Sequence, residues 1–108
     1  MKLYVLVRKD LSRSQQAVQA GHAVAEYLLH VQHNWDNGTL IYLGIKNEKR
    51  LINWTKKLTR KDIKWIGFRE PDIGNQLTAI SVLSDGEIFK SERLLWGYVA
   101  KYGLAMGF

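Results

Sequence analysis

Hydrophobic and polar positions follow two patterns along this chain, and the order of those patterns predicts an α/β domain. Nearly continuous apolar runs with β-branched and aromatic members predict buried strands at 2–9, 39–45, 63–68 and 77–83. Apolar residues at helical spacing predict helices over about 12–30, 48–59 and 91–101. Because a long helix joins the first two strands, they form a predicted βαβ unit with parallel strands and a right-handed crossover.

The first helix has the clearest start and the clearest periodicity. Ser12–Gln15 reads Ser-x-x-Gln, the capping-box pattern that begins many helices. The predicted inner face consists of residues that recur at helical spacing: Ala17, Val18, Gly21, Val24, Ala25, Leu28 and Leu29. A polar stripe is predicted to border that face: Gln15, Gln19, His22 and Glu26. The small side chains of this helix predict a close approach to the sheet.

The second helix has a simpler amphipathic pattern. Asn47 is its predicted N-cap, because an asparagine side chain accepts a hydrogen bond from a free amide of the first turn. Its predicted inner face is formed by Leu51, Ile52, Thr55 and Leu58. Charged residues lie largely outside that face: Glu48, Lys49, Arg50, Lys56 and Lys57.

Length and composition limit what this domain is. The 108 residues suit one domain, and the 46% of apolar residues suit a folded core. The absence of cysteine excludes a disulfide framework, a cysteine-ligated metal and a thiolate nucleophile. No apolar run reaches the roughly 18 residues of a membrane span, and no signal peptide is visible. We therefore expect a cytoplasmic protein that does not engage a membrane.

No motif in the sequence predicts a cofactor or a metal. The chain has no Gly-x-Gly-x-x-Gly segment after its first strand, no P-loop and no nucleophile elbow. His30, His33 and Asp36 lie close in sequence, but their spacing matches no strong zinc pattern. We therefore expect chemistry that uses side chains alone, without cofactor or metal.

Positive charge is concentrated in one part of the chain. The net charge is +6, and eight of the sixteen Lys and Arg residues lie between Lys46 and Lys64. One interpretation is a polyanion-binding surface, because clustered cations bind nucleic acid phosphates. The other is an ordinary solvated helix face.

Three residues are candidates for catalysis. His22 lies in the middle of the first helix, where it either positions a substrate and activates water or serves as a half-buried histidine bonded to a neighbour. Asp72 follows the only proline, so it is either a carboxylate aimed at a cleft or part of turn chemistry. Thr78 opens a strand, where β-branched residues are frequent without any function.

Two segments carry a resemblance to a known family. Val5–Leu11 ends a strand in Val-Arg-Lys-Asp-Leu, and Ala17–Ala23 supplies Gln19, His22 and Ala23 at the spacing of an Ala-Ala-Gln-x-x-His-Ala helix. Glu70–Ile80 reads Glu-Pro-Asp followed by a Thr-x-Ile strand. These features resemble the class II peptidyl-tRNA hydrolase family, and most of all its divergent peptidyl-tRNA hydrolase domain-containing branch.

The resemblance implies both a fold and an activity. The implied fold is a single-domain three-layer sandwich over residues 1–108, with a mixed four-stranded sheet and helices on both faces. The implied activity is hydrolysis of the ester that joins a peptide to the terminal ribose of tRNA, which recycles the tRNA. The implied partner is therefore tRNA carrying a peptide.

The family's site combines a helical lysine with an aspartate and threonines. Asp72 and Thr78 match the aspartate and one threonine, whereas the lysine position falls on Gln15, with Arg13 the nearest cation. On this basis His22 or Asp72 would orient water, while Thr78 and Gln19 would hold the ester. The tRNA phosphates would be held by Lys49, Arg50, Lys56 and Lys57.

The sequence leaves three functional hypotheses. The first is an esterase acting on peptidyl-tRNA. The second is a non-catalytic module on the same fold that binds RNA or a protein, and it is motivated by Gln15 at the lysine position. The third is a protein–protein module, in which the apolar C-terminal region forms a homodimer contact through Trp96, Tyr98, Tyr102 and Phe108.

Overall fold

The protein is a three-layer α/β domain built on one mixed sheet. The computed structural model describes the backbone of residues 1–100 and the side chains of residues 1–95. The strands are β1 (Lys2–Arg8), β2 (Leu40–Ile45), β3 (Trp65–Glu70), β4 (Gln76–Ser84) and β5 (Arg93–Ala100). The helices are α1 (Arg13–His30) and α2 (Glu48–Arg60), with short 3-10 turns at Pro71–Ile73 and Glu87–Phe89.

The sheet has the order β3-β4-β1-β2-β5. β1 and β2 are parallel, with Leu3 opposite Leu40 and Arg8 opposite Ile45, so the predicted βαβ unit is confirmed. The other pairings are antiparallel. The carboxyl ends of β1 and β2 and the beginning of β5 therefore meet at one edge of the sheet.

The prediction of four strands and a last helix over 91–101 is wrong. Residues 93–100 form β5, which extends the sheet to five strands by pairing with β2; Arg93 lies opposite Gly44 and Leu94 opposite Leu43. Without β5 the outer backbone groups of β2 would lack a ladder partner, and this tertiary demand outweighs the local helical spacing. The proposed dimer contact lies outside the described part of the chain: Tyr102 and Phe108 are not described, and neither are the side chains of Trp96 and Tyr98.

The two helices cover opposite faces of the sheet, as expected. Side chains alternate along β1, so that Val5 and Val7 join the cluster beneath α1, whereas Tyr4 and Leu6 join the cluster beneath α2. Neither helix of the described chain has the length and hydropathy needed to cross a bilayer.

α2 forms as its sequence predicts. The Asn47 side chain accepts a hydrogen bond from the amide of Arg50 at 3.0 Å, which caps the first turn. The buried residues of this helix are Leu51, Trp54, Thr55 and Leu58. Trp54 packs on Phe89 at 5.1 Å between ring centroids and takes the inner position expected for Ile52, which is only half-buried.

α1 begins where predicted but presents a different face to the sheet. Ser12 caps it by accepting from the amide of Gln15 at 3.3 Å. The residues buried against the sheet are Gln16, Gln19, Ala20, Ala23 and Tyr27. The predicted inner face is therefore wrong except at Val24, which is half-buried and packs on the core. Val18 is 47% exposed and Leu29 is 76% exposed. Ala20 and Ala23 let the helix approach the strands closely. The buried side-chain amides of Gln16 and Gln19 have hydrogen-bond partners.

Candidate functional site

A buried arginine organises the sheet edge at which the candidate site lies. Arg8 ends β1, and its Nε and Nη2 atoms each donate to a carboxylate oxygen of Asp10 at 2.9 Å. Its Nη1 donates to Gln76 Oε1 at 2.8 Å and to the carbonyl of Leu77 at 3.2 Å. The Glu48 carboxylate accepts from the amide of Leu77 at 2.8 Å. This network ties the end of β1 to the beginning of β4 and to the first turn of α2.

The arginine and its aspartate stabilise each other's charged forms. The hydrogen bond from Arg8 lowers the pKa of Asp10, and burial opposes this effect. The hydrogen bond to Asp10 raises the pKa of Arg8. Because the guanidinium contacts the carboxylate through two donors, the geometry of this edge is strongly defined.

Gln16 holds the connection from β1 into α1. Its Nε2 donates to the carbonyl of Leu11 at 2.8 Å and to the carbonyl of Lys9 at 3.2 Å. These bonds satisfy carbonyl groups that the turn leaves free, so a buried glutamine costs little here. They also place the next turn of α1 over the end of β3.

The centre of the candidate site is a chain of side-chain hydrogen bonds through Gln19. The Thr78 hydroxyl lies 2.7 Å from Gln19 Oε1 and 3.1 Å from the carbonyl of Phe68. Gln19 Nε2 donates to Gln15 Oε1 and to Glu70 Oε2, each at 3.1 Å. Gln19 is 1% exposed and Thr78 is fully buried, whereas Glu70 is half-buried. The structure thus brings Gln15, Gln19 and Thr78 together and adds a carboxylate.

His22 lies one turn further along α1. Its ring stacks on Phe68, with 4.3 Å between ring centroids and 12° between the ring planes. Phe68 and Glu70 lie on one side of β3, because strand residues two apart share a face. The imidazole and the Glu70 carboxylate therefore occupy neighbouring positions along the α1–β3 groove, the strip of surface where α1 packs on β3.

Asp72 lies two residues after Glu70, on an exposed turn. The segment Pro71–Ile73 is a 3-10 turn that ends at Gly74, whose φ of 72° is in the left-handed region. The amide of Asn75 donates to the carbonyl of Glu70 at 2.9 Å and closes the turn. Asp72 is exposed and forms no hydrogen bond within the described residues.

The cations expected to hold tRNA lie on the other face of the sheet from Gln19 and His22. Lys49, Arg50, Lys56 and Lys57 belong to α2. Arg50 Nη2 pairs with Glu92 Oε1 at 2.9 Å, and Lys57 Nζ lies 5.0 Å from the centroid of Trp54. Lys49 and Lys56 are exposed. On the α1 side, Arg13 is exposed at the beginning of the helix.

Sequence reasoning missed Glu70 and Phe68 as site residues. The sequence pattern assigns Phe68 to a buried strand and Glu70 to the first position of a loop. One signal pointed to Glu70, since a carboxylate directly before the only proline ends a strand with a rigid turn. Its link to Gln19, 51 positions away along the chain, had no sequence signal.

The chemistry available at this groove is that of a carboxylate, two amides and an imidazole. A carboxylate can accept a proton from water, an amide can orient it, and an imidazole can exchange protons near neutral pH. Within residues 1–95, no three histidine, aspartate or glutamate side chains lie close enough to hold a metal ion.

Comparisons with known proteins identify a fold but no family. No family model matches the chain, and no curated protein matches it. Its structure is similar to that of a protein of unknown function from Agrobacterium tumefaciens, with a TM-score of 0.64 and 13% sequence identity. The match covers 86% of this chain and 96% of the other. Such a likeness, at low identity, concerns the α/β architecture alone.

Proposed function

We propose that this chain is an esterase that hydrolyses the ester bond of peptidyl-tRNA, with its reaction centre in the groove between α1 and β3. The observation that carries the proposal is the 3.1 Å hydrogen bond from Gln19 Nε2 to Glu70 Oε2, next to the stacked ring of His22. Ester hydrolysis by water needs a base for the water and donors for the charge on the carbonyl oxygen. A glutamate held by a buried amide meets the first need.

In this reaction Glu70 acts as the base. Its Oε2 is engaged by Gln19, whereas its Oε1 forms no hydrogen bond within the described residues, so Oε1 takes the proton of the attacking water. The bond from the water oxygen to the ester carbonyl carbon forms, and the bond from that carbon to the ribose oxygen breaks. The ribose oxygen leaves with the proton that Glu70 accepted, so atoms and charges balance.

Thr78 and Gln15 act in this scheme as positioning residues. Thr78 is fully buried, and its hydroxyl lies against Gln19 Oε1, so it fixes which end of the Gln19 amide faces Glu70. Gln15 Oε1 accepts the second proton of the same amide. In this scheme His22, on the next turn of α1, and Asp72, on the turn that follows Glu70, orient the water or the ester.

The resemblance to class II peptidyl-tRNA hydrolases supplies the substrate in this proposal. Gln19 and His22 match that family's helix motif, and both lie in the groove. The family's lysine position is taken by Gln15, a neutral donor and acceptor already bonded to Gln19. A slow enzyme is therefore expected, because losing a cation near developing negative charge lowers the rate.

The test is the release of free tRNA from a purified N-blocked aminoacyl-tRNA. Wild type is compared with His22→Ala, Asp72→Ala and Glu70→Gln, and turnover by Glu70→Gln is expected to fall by about 100-fold or more. His30→Ala is the matched control, because His30 is an exposed histidine at the far end of the same helix. Unchanged turnover in Glu70→Gln at normal stability would remove Glu70 from the proposal.

A gain-of-function variant sharpens the same test. Gln15→Lys restores a cation beside Gln19, so it is expected to raise the rate by about tenfold or more through charge stabilisation. Lys61→Gln, at an exposed cation outside the set expected to hold tRNA, tests whether a change of one charge alone alters turnover. A Gln15→Lys protein with an unchanged rate would show that the lysine position of the family has no counterpart here.

A non-catalytic RNA-binding module is the second candidate function. It is favoured by the mutual satisfaction of Gln19 and Thr78, whose polar side-chain atoms already bond within the protein. In addition, four cavities are lined by described residues, and none of those lining residues belongs to this groove. Binding of tRNA without turnover in wild type would select this alternative.

A further inference from the structure

Four cations from four separate elements line one small cavity at the edge of the sheet. Lys9 follows β1, Lys46 follows β2, Arg50 lies in the first turn of α2 and Arg93 begins β5. The cavity has a volume of about 220 Å³. These side chains converge because β1 and β2 are parallel and β5 runs antiparallel to β2, which brings their ends to one edge.

The charges around this cavity are strongly unbalanced. Among the described residues that line it, Glu92 is the only carboxylate, and its Oε1 accepts from Arg50 at 2.9 Å and from Trp54 Nε1 at 3.0 Å. The Glu92 side chain is 6% exposed, so most of it is turned away from solvent. Within the described part of the chain, the other three cations form no ion pair. Like charges held around one cavity repel, and a bound anion relieves that repulsion.

Gly44 makes room for one of these cations. It lies inside β2, where a glycine weakens a strand, and it is paired with Arg93. A Cβ atom at Gly44 would lie 2.7 Å from Cδ of Lys9 and 3.0 Å from Cδ1 of Leu95. The stem of Lys9 therefore lies across Gly44, while the amide of Lys9 is fixed by a 2.7 Å hydrogen bond to the carbonyl of Ile45. A side chain at position 44 would displace this lysine from the cavity wall.

We propose that this cavity binds a phosphate group. A phosphate oxyanion matches two guanidinium groups, which donate in pairs, and two ammonium groups, which act as point charges. The hydroxyl of Ser91 lines the same cavity and adds a donor. At roughly 30 Å³ per water molecule, the volume accommodates a phosphate with part of its hydration shell.

The phosphate has two sources, free inorganic phosphate or the backbone of an RNA. The RNA source rests on the proposed function, and the fold makes it geometrically reasonable. Lys9 directly follows Arg8, which bonds to Gln76, the partner of Glu70 across the β3–β4 ladder. A strand of RNA at the Glu70 groove would then follow the end of β1 to reach the cavity.

The test measures binding of inorganic phosphate and of a single-stranded RNA ending in CCA, each titrated into isotopically labelled protein at constant ionic strength. The amide resonances of Gly44 and Lys46 are the readout. Lys46→Ala and Arg93→Ala are expected to weaken phosphate binding by about tenfold. Lys61→Ala and Arg60→Ala are the charge-matched controls, because these exposed residues end α2 away from the cavity, and they should change binding by less than about twofold.

The outcomes separate this cavity from the esterase proposal. Saturable phosphate binding that depends on Lys46 supports the cavity, and competition between phosphate and RNA assigns the RNA backbone as the source. Phosphate binding without RNA competition supports the cavity with free phosphate as its ligand, even where ester hydrolysis fails. Equal effects of the cavity and control variants, or the lack of saturable binding by either probe, would overturn the proposal while leaving the hydrolysis assay to decide the esterase.

Discussion

The two helices of this protein attach to the sheet by different physical means. α2 buries Leu51, Trp54 and Leu58 and exposes its cations except the half-buried Lys57, so its packing follows the hydrophobic effect. α1 buries glutamines beside alanines and leaves Val18 and Leu29 largely exposed. The difference shows that a helix can be oriented by hydrogen-bonded polar groups and by close backbone approach, against the direction that its larger apolar residues favour.

This difference in packing also separates α2, which mainly supports the fold, from α1, which carries the candidate site. Among the described residues, the buried face of α2 is apolar except for Thr55, whose hydroxyl donates to the carbonyl of Ile52 at 2.6 Å within the helix. The polar face of α1 holds Gln19 against Glu70 and Thr78, where each bond depends on the others. A candidate reaction centre therefore forms under α1, whereas α2 contributes cations at the surface.

The largest expected contrast between the helices comes from replacing one leucine by alanine in each helix. Leu58→Ala in α2 removes a fully buried side chain and should lower the free energy of unfolding by about 2–5 kcal/mol. Leu29→Ala in α1 removes a side chain that is 76% exposed and should change it by less than about 0.5 kcal/mol. Urea unfolding followed by circular dichroism measures both. Similar losses in the two variants would mean that the outer face of α1 is covered in solution.

A second contrast tests the polar attachment of α1. Gln19→Leu leaves the Glu70 carboxylate without its amide donor and removes an acceptor from Thr78, so we expect a loss of about 1–3 kcal/mol. Gln15→Leu is the matched control, because Gln15 is exposed and gives up one hydrogen bond. The same unfolding measurement applies. A stable Gln19→Leu protein would show that α1 is held by its alanines alone.

Two glycines with open space around them give a smaller contrast. Gly21 lies inside α1, and a Cβ atom added there would meet nothing within 4 Å, so Gly21→Ala should stabilise the protein by about 0.5–1 kcal/mol. Gly74 has equal space but a φ of 72°, so Gly74→Ala should destabilise it by about 1–2 kcal/mol. Thermal unfolding of the two variants measures this contrast, since changes in stability of opposite sign are expected. A loss of stability in Gly21→Ala would point to a close neighbour above α1.

The smallest expected effect concerns the ion pair between Arg8 and Asp10 at the end of β1. The hydrogen bond from Arg8 lowers the pKa of Asp10 below its unfolded value of 3.8, so this carboxylate contributes stability above that pH. The contribution is lost as the pH falls through the lower folded pKa. Because the Asp10 side chain is 39% exposed, we expect less than about 1 kcal/mol. Asp10→Asn should differ from wild type at pH 7 and converge with it in strong acid, as urea unfolding at several pH values would show.

Short sequence patterns predicted the elements whose boundaries depend on residues close by in the sequence. The Ser12 and Asn47 caps, the α2 inner face apart from the exchange of Ile52 for Trp54, and the parallel β1–β2 unit could be recognised, because capping and amphipathic spacing are short-range properties. The resemblance to a family motif predicted Gln19 and Thr78 as site residues, and the two side chains lie in contact.

Long-range features were accessible only from the tertiary structure. The run at 93–100 fits either a helix or a strand locally, and the open edge of β2 decided for the strand. The role of Glu70 depended on Gln19, a residue far away in sequence that the fold brings within hydrogen-bond distance. The cavity formed by Lys9, Lys46 and Arg93 likewise exists because three strand ends meet.

The sequence by itself determined where α1 and α2 start, that β1 and β2 are parallel and that one face of α2 is buried. Those features follow from interactions within a few residues and from the connection rules of βαβ units. Only the tertiary structure decided which face of α1 meets the sheet. Apolar residues lie all around that helix, and its rotation was set by bonds that exist only once β3 and β4 are in place beside it.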